Sequence, residues 1–77
     1  MKDEYRHYLT YSLKPAVDRC LMFGDEVALK DVLTKGQVGL CANYELPPQE
    51  AAQLITEYVK EQYPGIIEPQ PLNSSNA

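Results

Sequence analysis

The sequence predicts a small single-domain α+β fold in the order strand, helix, helix, strand, helix. Apolar residues alternate over residues 37–46, as in a half-buried strand, and recur every three or four residues over 48–63, as in an amphipathic helix. Because a two-stranded sheet is marginal in water, we expect dimerisation to complete it across a two-fold axis. The alternative is a β-meander followed by one C-terminal helix.

Length and composition set the size of the folded unit. The chain has 77 residues, of which 44% are hydrophobic and 23% charged, values that fit one folded domain at most. We expect residues 1–67 to form this single globular domain. Residues 68–77 are rich in proline, asparagine and serine, which predicts a flexible C-terminal tail.

The first strand is predicted over residues 5–13, which are rich in tyrosine and threonine. Pro15 favours extended geometry at the residue before it, so we expect the strand to end near Lys14. Its alternating pattern predicts an inward face of Tyr5, His7, Leu9, Tyr11 and Leu13, and an outward face of Arg6, Tyr8, Thr10 and Ser12.

Two short helices are predicted between Pro15 and Gly36. Pro15 suits a first helical turn, and Gly24 ends the first helix. Asp25 can then cap the second helix by accepting from its free amides, and Gly36 would end it. The competing interpretation makes the residues on either side of Gly24 and Asp25 the strands of a hairpin. The helical interpretation expects an inward stripe of Ala16, Val17, Cys20, Leu21, Phe23, Val27, Ala28 and Val32.

The second strand and the last helix complete the predicted domain. Pro47 and Pro48 stop the strand, because proline donates no backbone hydrogen bond, and they suit the first turn of a helix. This helix should end by Pro64. The alternating strand residues are Val38, Leu40, Ala42, Tyr44 and Leu46, and the inward helix residues are Ala51, Ala52, Ile55, Tyr58, Val59 and Tyr63.

The net charge of -4 is concentrated in the second half of the chain. Residues 1–36 carry six basic and six acidic side chains, whereas residues 37–77 carry one basic and five acidic ones. An acidic surface repels nucleic-acid phosphates and anionic lipids. The charge pattern therefore argues against nucleic-acid and membrane partners and favours a basic protein surface.

No pattern typical of catalysis or cofactor binding appears in the sequence. Cys20 and Cys41 are too few and too far apart for a disulfide framework or a zinc site, and phosphate-loop and dinucleotide signatures are absent. His7 has no nucleophile or carboxylate at a spacing that would orient it. We therefore expect no enzyme activity, no cofactor and no metal. Without a recognisable signal peptide or membrane-spanning segment, we expect a cytoplasmic protein.

Together these features predict a small acidic protein–protein interaction module, an accessory or regulatory protein of bacterial or bacteriophage type. Arg6 and Tyr8 are candidate partner contacts, because arginine and tyrosine are common interface anchors. The acidic side of the last helix supplies the others, Glu50, Glu57 and Glu61. The alternative is a dimeric nucleic-acid-binding regulator using the N-terminal strand, whose strand–helix–helix order resembles, in topology only, that of ribbon-helix-helix proteins.

Overall fold

The computed structural model describes residues 1–65, which form four α-helices. Within this range no strand is present, so the predicted α+β fold and the alternative β-meander are wrong, and there is no sheet for a dimer to complete. Residues 66 and 67 of the predicted domain and the predicted tail, 68–77, lie outside the described residues. The helices are α1 (Asp3–Ser12), α2 (Lys14–Phe23), α3 (Glu26–Tyr44) and α4 (Pro48–Gln62).

The first two helices follow each other with only Leu13 between them. Asp3 and Glu4 lie in the first turn of α1, where negative charge is favoured by the helix dipole. Pro15 has no amide hydrogen and its ring crowds the backbone four residues earlier, so the helix is interrupted at Leu13. The buried stripe nevertheless continues across the break through Leu9, Leu13, Val17 and Cys20.

Hydrogen bonds at both helix ends fix the turn between α2 and α3. Gly24 adopts the left-handed conformation with φ 65° and ψ 29°. The Asp25 amide donates to the Cys20 carbonyl at 3.0 Å, as in a Schellman motif. The Asp25 carboxylate accepts from the Ala28 amide at 3.0 Å and caps α3. The helix pair and the Asp25 cap are therefore confirmed, and the competing hairpin is wrong.

Two glycines lie inside α3 and face neighbouring helices, so the prediction that Gly36 ends this helix is wrong. A Cβ atom at Gly36 would lie 3.0 Å from Leu13 Cδ1 and 3.1 Å from Ile55 Cδ1. A Cβ atom at Gly39 would overlap the Tyr8 hydroxyl. The glycines therefore allow close helix contacts, which offset their low helix propensity.

The last helix packs against α3 and covers the core. Glu45, in the left-handed conformation with φ 56°, ends α3, and α4 begins at Pro48 as predicted. The Tyr58 ring is fully buried, and its hydroxyl lies 2.9 Å from the Thr10 hydroxyl, which connects α4 to α1. The largest fully buried side chains are Tyr58, Leu9, Leu40, Val17 and Val59.

The residues predicted to alternate along strands lie on helical faces instead. In the first segment Leu9 and Leu13 are buried, whereas Tyr11, which the strand pattern placed inward with them, is 80% exposed. In the second segment Leu40 is buried, whereas Val38 is 63% exposed. Positions two residues apart fall on different sides of a helix, which explains why the alternating pattern does not match the observed burial.

Candidate functional site

The outer side of α4 bears an open hollow next to the N-terminus of the chain. Its volume is about 840 Å³. Half of its lining residues are apolar and half are polar. We call this surface the α4 hollow, and its lining residues are Met1, Pro47, Ala52 and Leu54, with Gln49, Gln53, Glu50 and Glu57.

The amphipathic pattern of α4 explains how these residues come together. Ala51 and Ile55 are buried in the core, so the residues that follow Glu50 at three- and four-residue steps, Gln53 and Glu57, lie on the opposite side. A second hollow of about 370 Å³ shares Ala52, Gln53 and Glu57 with the first and adds Thr56. The outer side of α4 therefore bears two adjoining, shallow hollows.

Two of the predicted contact residues, Glu50 and Glu57, lie at this surface. Both side chains are exposed. Among residues 1–65, neither carboxylate takes part in an ion pair. The half-buried Ala52 and Leu54 lie between them in the sequence. Apolar groups are thus bordered by negative charge that basic groups of a partner can neutralise.

The other predicted acid, Glu61, is bound to the predicted contact residue Arg6. The Arg6 Nε donates to Glu61 Oε1 at 3.2 Å and Nη2 donates to Oε2 at 3.0 Å, a bidentate pair between α1 and α4. This hydrogen bonding holds the pKa of the Glu61 carboxyl below its usual range. Arg6 Nη1 also lies 3.4 Å from Asp3 Oδ1. The Arg6–Glu61 ion pair therefore connects α1 to α4.

Tyr8, the remaining predicted contact residue, is half-buried against α3. Its hydroxyl accepts from Asn43 Nδ2 at 3.2 Å. Its ring meets the Tyr44 ring edge-on with centroids 5.6 Å apart, and Tyr5 contacts the same ring at 5.0 Å. Tyr8 therefore packs α1 against α3, and it does not line the α4 hollow.

The histidine and the cysteines lie apart from this surface. His7 is exposed on α1, Cys20 is buried on α2 and Cys41 is half-buried on α3; both cysteines are free thiols. Across residues 1–65, no group of three or more His, Cys, Asp and Glu side chains is arranged to hold a metal ion.

A second surface lies at the α2–α3 turn, where the sequence predicted core residues. Met22 is 78%, Phe23 73% and Val27 80% exposed, although Phe23 and Val27 belonged to the predicted inward stripe. We call these three residues the corner patch. Phe23 is the last residue of α2 and Val27 the second of α3, so the chain is already turning away from the core there. This end position is the sequence signal that separates them from the stripe.

No protein-family model matches the chain, and no significant match was found among curated proteins or solved structures. The function must therefore be inferred from the surfaces of the chain itself. Among the helices of residues 1–65, none has both the length and the apolar character needed to cross a membrane.

Proposed function

We propose that the chain is a helical protein-interaction module that binds a basic, amphipathic segment of another protein in the α4 hollow. The observation that supports this most strongly is the combination of apolar groups, Met1, Ala52 and Leu54, with the carboxylates of Glu50 and Glu57. Opposite charge accelerates encounter and selects the partner, while burial of apolar area holds the complex.

The charge balance of the described residues favours a basic partner. Residues 37–65 carry one basic side chain, Lys60, and four acidic ones, Glu45, Glu50, Glu57 and Glu61. Arg6 neutralises Glu61, so the excess negative charge lies towards the hollow. The hollow follows the chain from Pro47 to Glu57, which suits a helix that lays its apolar side on the surface and keeps its charged side at the edge.

The nucleic-acid alternative has less support. Residues 3–12 are helical, so the strand that would have entered a groove does not exist in the described part of the chain. The arginine that would have read bases is bound to Glu61. We further propose that the protein acts in the cytoplasm, where Cys20 and Cys41 remain reduced, and acts by binding without catalysis.

The proposal is tested with a helical peptide of about 18 leucine and lysine residues that has one apolar stripe. We expect it to bind the intact chain with an affinity that falls as salt rises, because exposed charges are screened. The double variant Glu50→Gln, Glu57→Gln should weaken binding about tenfold, as measured by fluorescence anisotropy.

A matched control removes the same charge elsewhere. Glu4 and Glu26 are exposed in the first turns of α1 and α3 and, like Glu50 and Glu57, take part in no ion pair among residues 1–65. The variant Glu4→Gln, Glu26→Gln should bind the peptide as the wild type does. Equal losses in the two variants would show that net charge alone attracts the peptide, and would contradict a site on α4.

A further inference from the structure

Met1 is the lining residue of the α4 hollow that does not come from the segment between Pro47 and Glu57. Its side chain is 36% exposed, although the first residues of a domain are usually poorly ordered unless other contacts hold them. The apolar part of the hollow therefore depends on how the start of α1 is held against α4.

A short path of contacts connects Met1 to α4. The Lys2 carbonyl accepts from the Arg6 amide at 3.1 Å, which ties the residue next to Met1 to the first turn of α1. The guanidinium of Arg6 in turn donates to both carboxylate oxygens of Glu61 on α4, at 3.2 and 3.0 Å. A bidentate pair of this kind fixes direction as well as distance.

The other polar contacts of α1 do not hold its first turn on α4. The Thr10 hydroxyl lies 2.9 Å from the Tyr58 hydroxyl, but Thr10 is one turn farther from Met1 than Arg6 is. Asp3 pairs with Arg6 inside α1 itself. Among the hydrogen bonds and ion pairs of residues 1–65, the Arg6–Glu61 pair is thus the link between this turn and α4.

We propose that Arg6 is a positioning residue for the α4 hollow: it binds Glu61 and thereby keeps Met1 in place as part of the apolar lining that a partner contacts. A lining that is already ordered lowers the entropic cost of association. The effect on binding rests on the function proposed above, whereas the position of Met1 can be measured on the free chain.

The sign of the effect on binding separates positioning from net charge. Arg6→Gln should weaken binding of the leucine–lysine peptide about threefold, because Met1 is no longer held beside α4. The same substitution removes a positive charge, so attraction by net charge alone would tighten binding of a basic peptide. Fluorescence anisotropy of the full chain measures the direction.

Lys14→Gln is the matched control. It removes the same charge from an ion pair of similar exposure, since the side chains of Lys14 and Arg6 are 34% and 38% exposed. Lys14 pairs with Asp18 inside α2 and does not line the hollow, so its loss should not weaken binding. The exchanged pair Arg6→Glu, Glu61→Arg should bind the peptide as the wild type does, because it restores the link between the helices.

The position of Met1 is tested without any peptide. The chain contains two methionines, Met1 and Met22, so ¹³C-methyl methionine labelling gives one NMR signal for each. In Arg6→Gln the Met1 signal should move towards its unfolded position, and it should stay in place in Lys14→Gln and in the exchanged pair. Met22 is 78% exposed and lies on α2, so its signal should be the same in every variant.

Circular dichroism checks that each variant keeps its helices. A Met1 signal that does not move in Arg6→Gln would overturn the proposal, and so would a peptide affinity in this variant equal to or tighter than that of the wild type. If the wild type does not bind the peptide but the Met1 signal moves in Arg6→Gln alone, the function proposed for the hollow is contradicted and the positioning of Met1 by Arg6 is supported.

Discussion

At the scale of single residues, Glu45 has a backbone conformation that suits glycine better than glutamate. It ends α3 with φ 56° and ψ 39°. The left-handed conformation costs a residue with a Cβ atom about 1–2 kcal/mol. Glycine avoids this cost, but it also gives the unfolded chain more conformational freedom, which offsets part of the gain in stability. We expect Glu45→Gly to raise the free energy of unfolding by roughly 0.5 kcal/mol in urea titrations.

The control for this prediction places glycine inside a helix. Lys30 is exposed in α3, and Lys30→Gly should lower the free energy of unfolding by about 1 kcal/mol. If both substitutions destabilise the protein equally, Glu45 is not held in the left-handed conformation in solution.

Tyr63 and Asp18 make stability depend on pH. The Tyr63 hydroxyl donates to Asp18 Oδ1 at 2.6 Å, and this hydrogen bond, assisted by Lys14, holds the pKa of Asp18 below its usual range. Arg6 lowers the pKa of Glu61 in the same direction. A depressed carboxyl pKa stabilises the fold above the unfolded value of about 4 and loses that contribution as the pH falls below it.

The predicted result is a free energy of unfolding that is steady above about pH 5 and declines from about pH 4 downward. Tyr63→Phe should make this decline shallower, because Asp18 then titrates nearer its ordinary pKa. Tyr11→Phe removes an equivalent hydroxyl from a side chain that is 80% exposed. Urea titrations between pH 3 and pH 7 would contradict this role of the Tyr63–Asp18 hydrogen bond if Tyr11→Phe changed the decline below pH 4 as much as Tyr63→Phe does.

At the scale of helices, the contact between α1 and α3 depends on Gly39. An added Cβ atom there would overlap the Tyr8 hydroxyl but would lie 3.4 Å from Tyr8 Cζ, an ordinary contact. Gly39→Ala alone should therefore fail to stabilise the protein, although alanine favours a helix by about 1 kcal/mol. In a Tyr8→Phe background the same substitution should stabilise it by roughly that amount.

A double-mutant cycle from thermal or urea unfolding measures this coupling. The expected coupling energy is about 1 kcal/mol in favour of the double variant. Additive effects would mean that the Tyr8 hydroxyl does not restrict the space above Gly39.

Helix ends could be predicted from the sequence where a single residue has the backbone chemistry that begins or ends a helix. Gly24, Asp25 and Pro48 mark helix ends by their own backbone chemistry, and each occupies its expected place. The alternation of apolar residues over 37–46 predicts a strand, although residues 37–44 belong to α3. Besides Leu40, α3 contacts its neighbours through Gly36 and Gly39, which carry no apolar side chain and therefore contribute nothing to a hydrophobic pattern.

At the scale of the whole molecule, the two candidate surfaces lie on different elements. Glu50 and Glu57 make the α4 hollow acidic, whereas the corner patch at the α2–α3 turn consists of exposed apolar side chains. The acidic side of α4 could be predicted from the sequence, because its glutamates recur at helical spacing. The hollow could not be predicted, because it needs Met1 beside α4, and neither could the Arg6–Glu61 pair, which joins residues 55 positions apart.

The most direct test of the proposed function is a ¹H–¹⁵N NMR titration of the full chain with the leucine–lysine peptide. The largest shifts should fall on the outer side of α4, at the amides of Gln49, Ala52, Gln53 and Leu54, while the corner patch stays unchanged. Shifts centred on Met22, Phe23 and Val27, or the absence of shifts at high peptide concentration, would contradict a partner site in the α4 hollow.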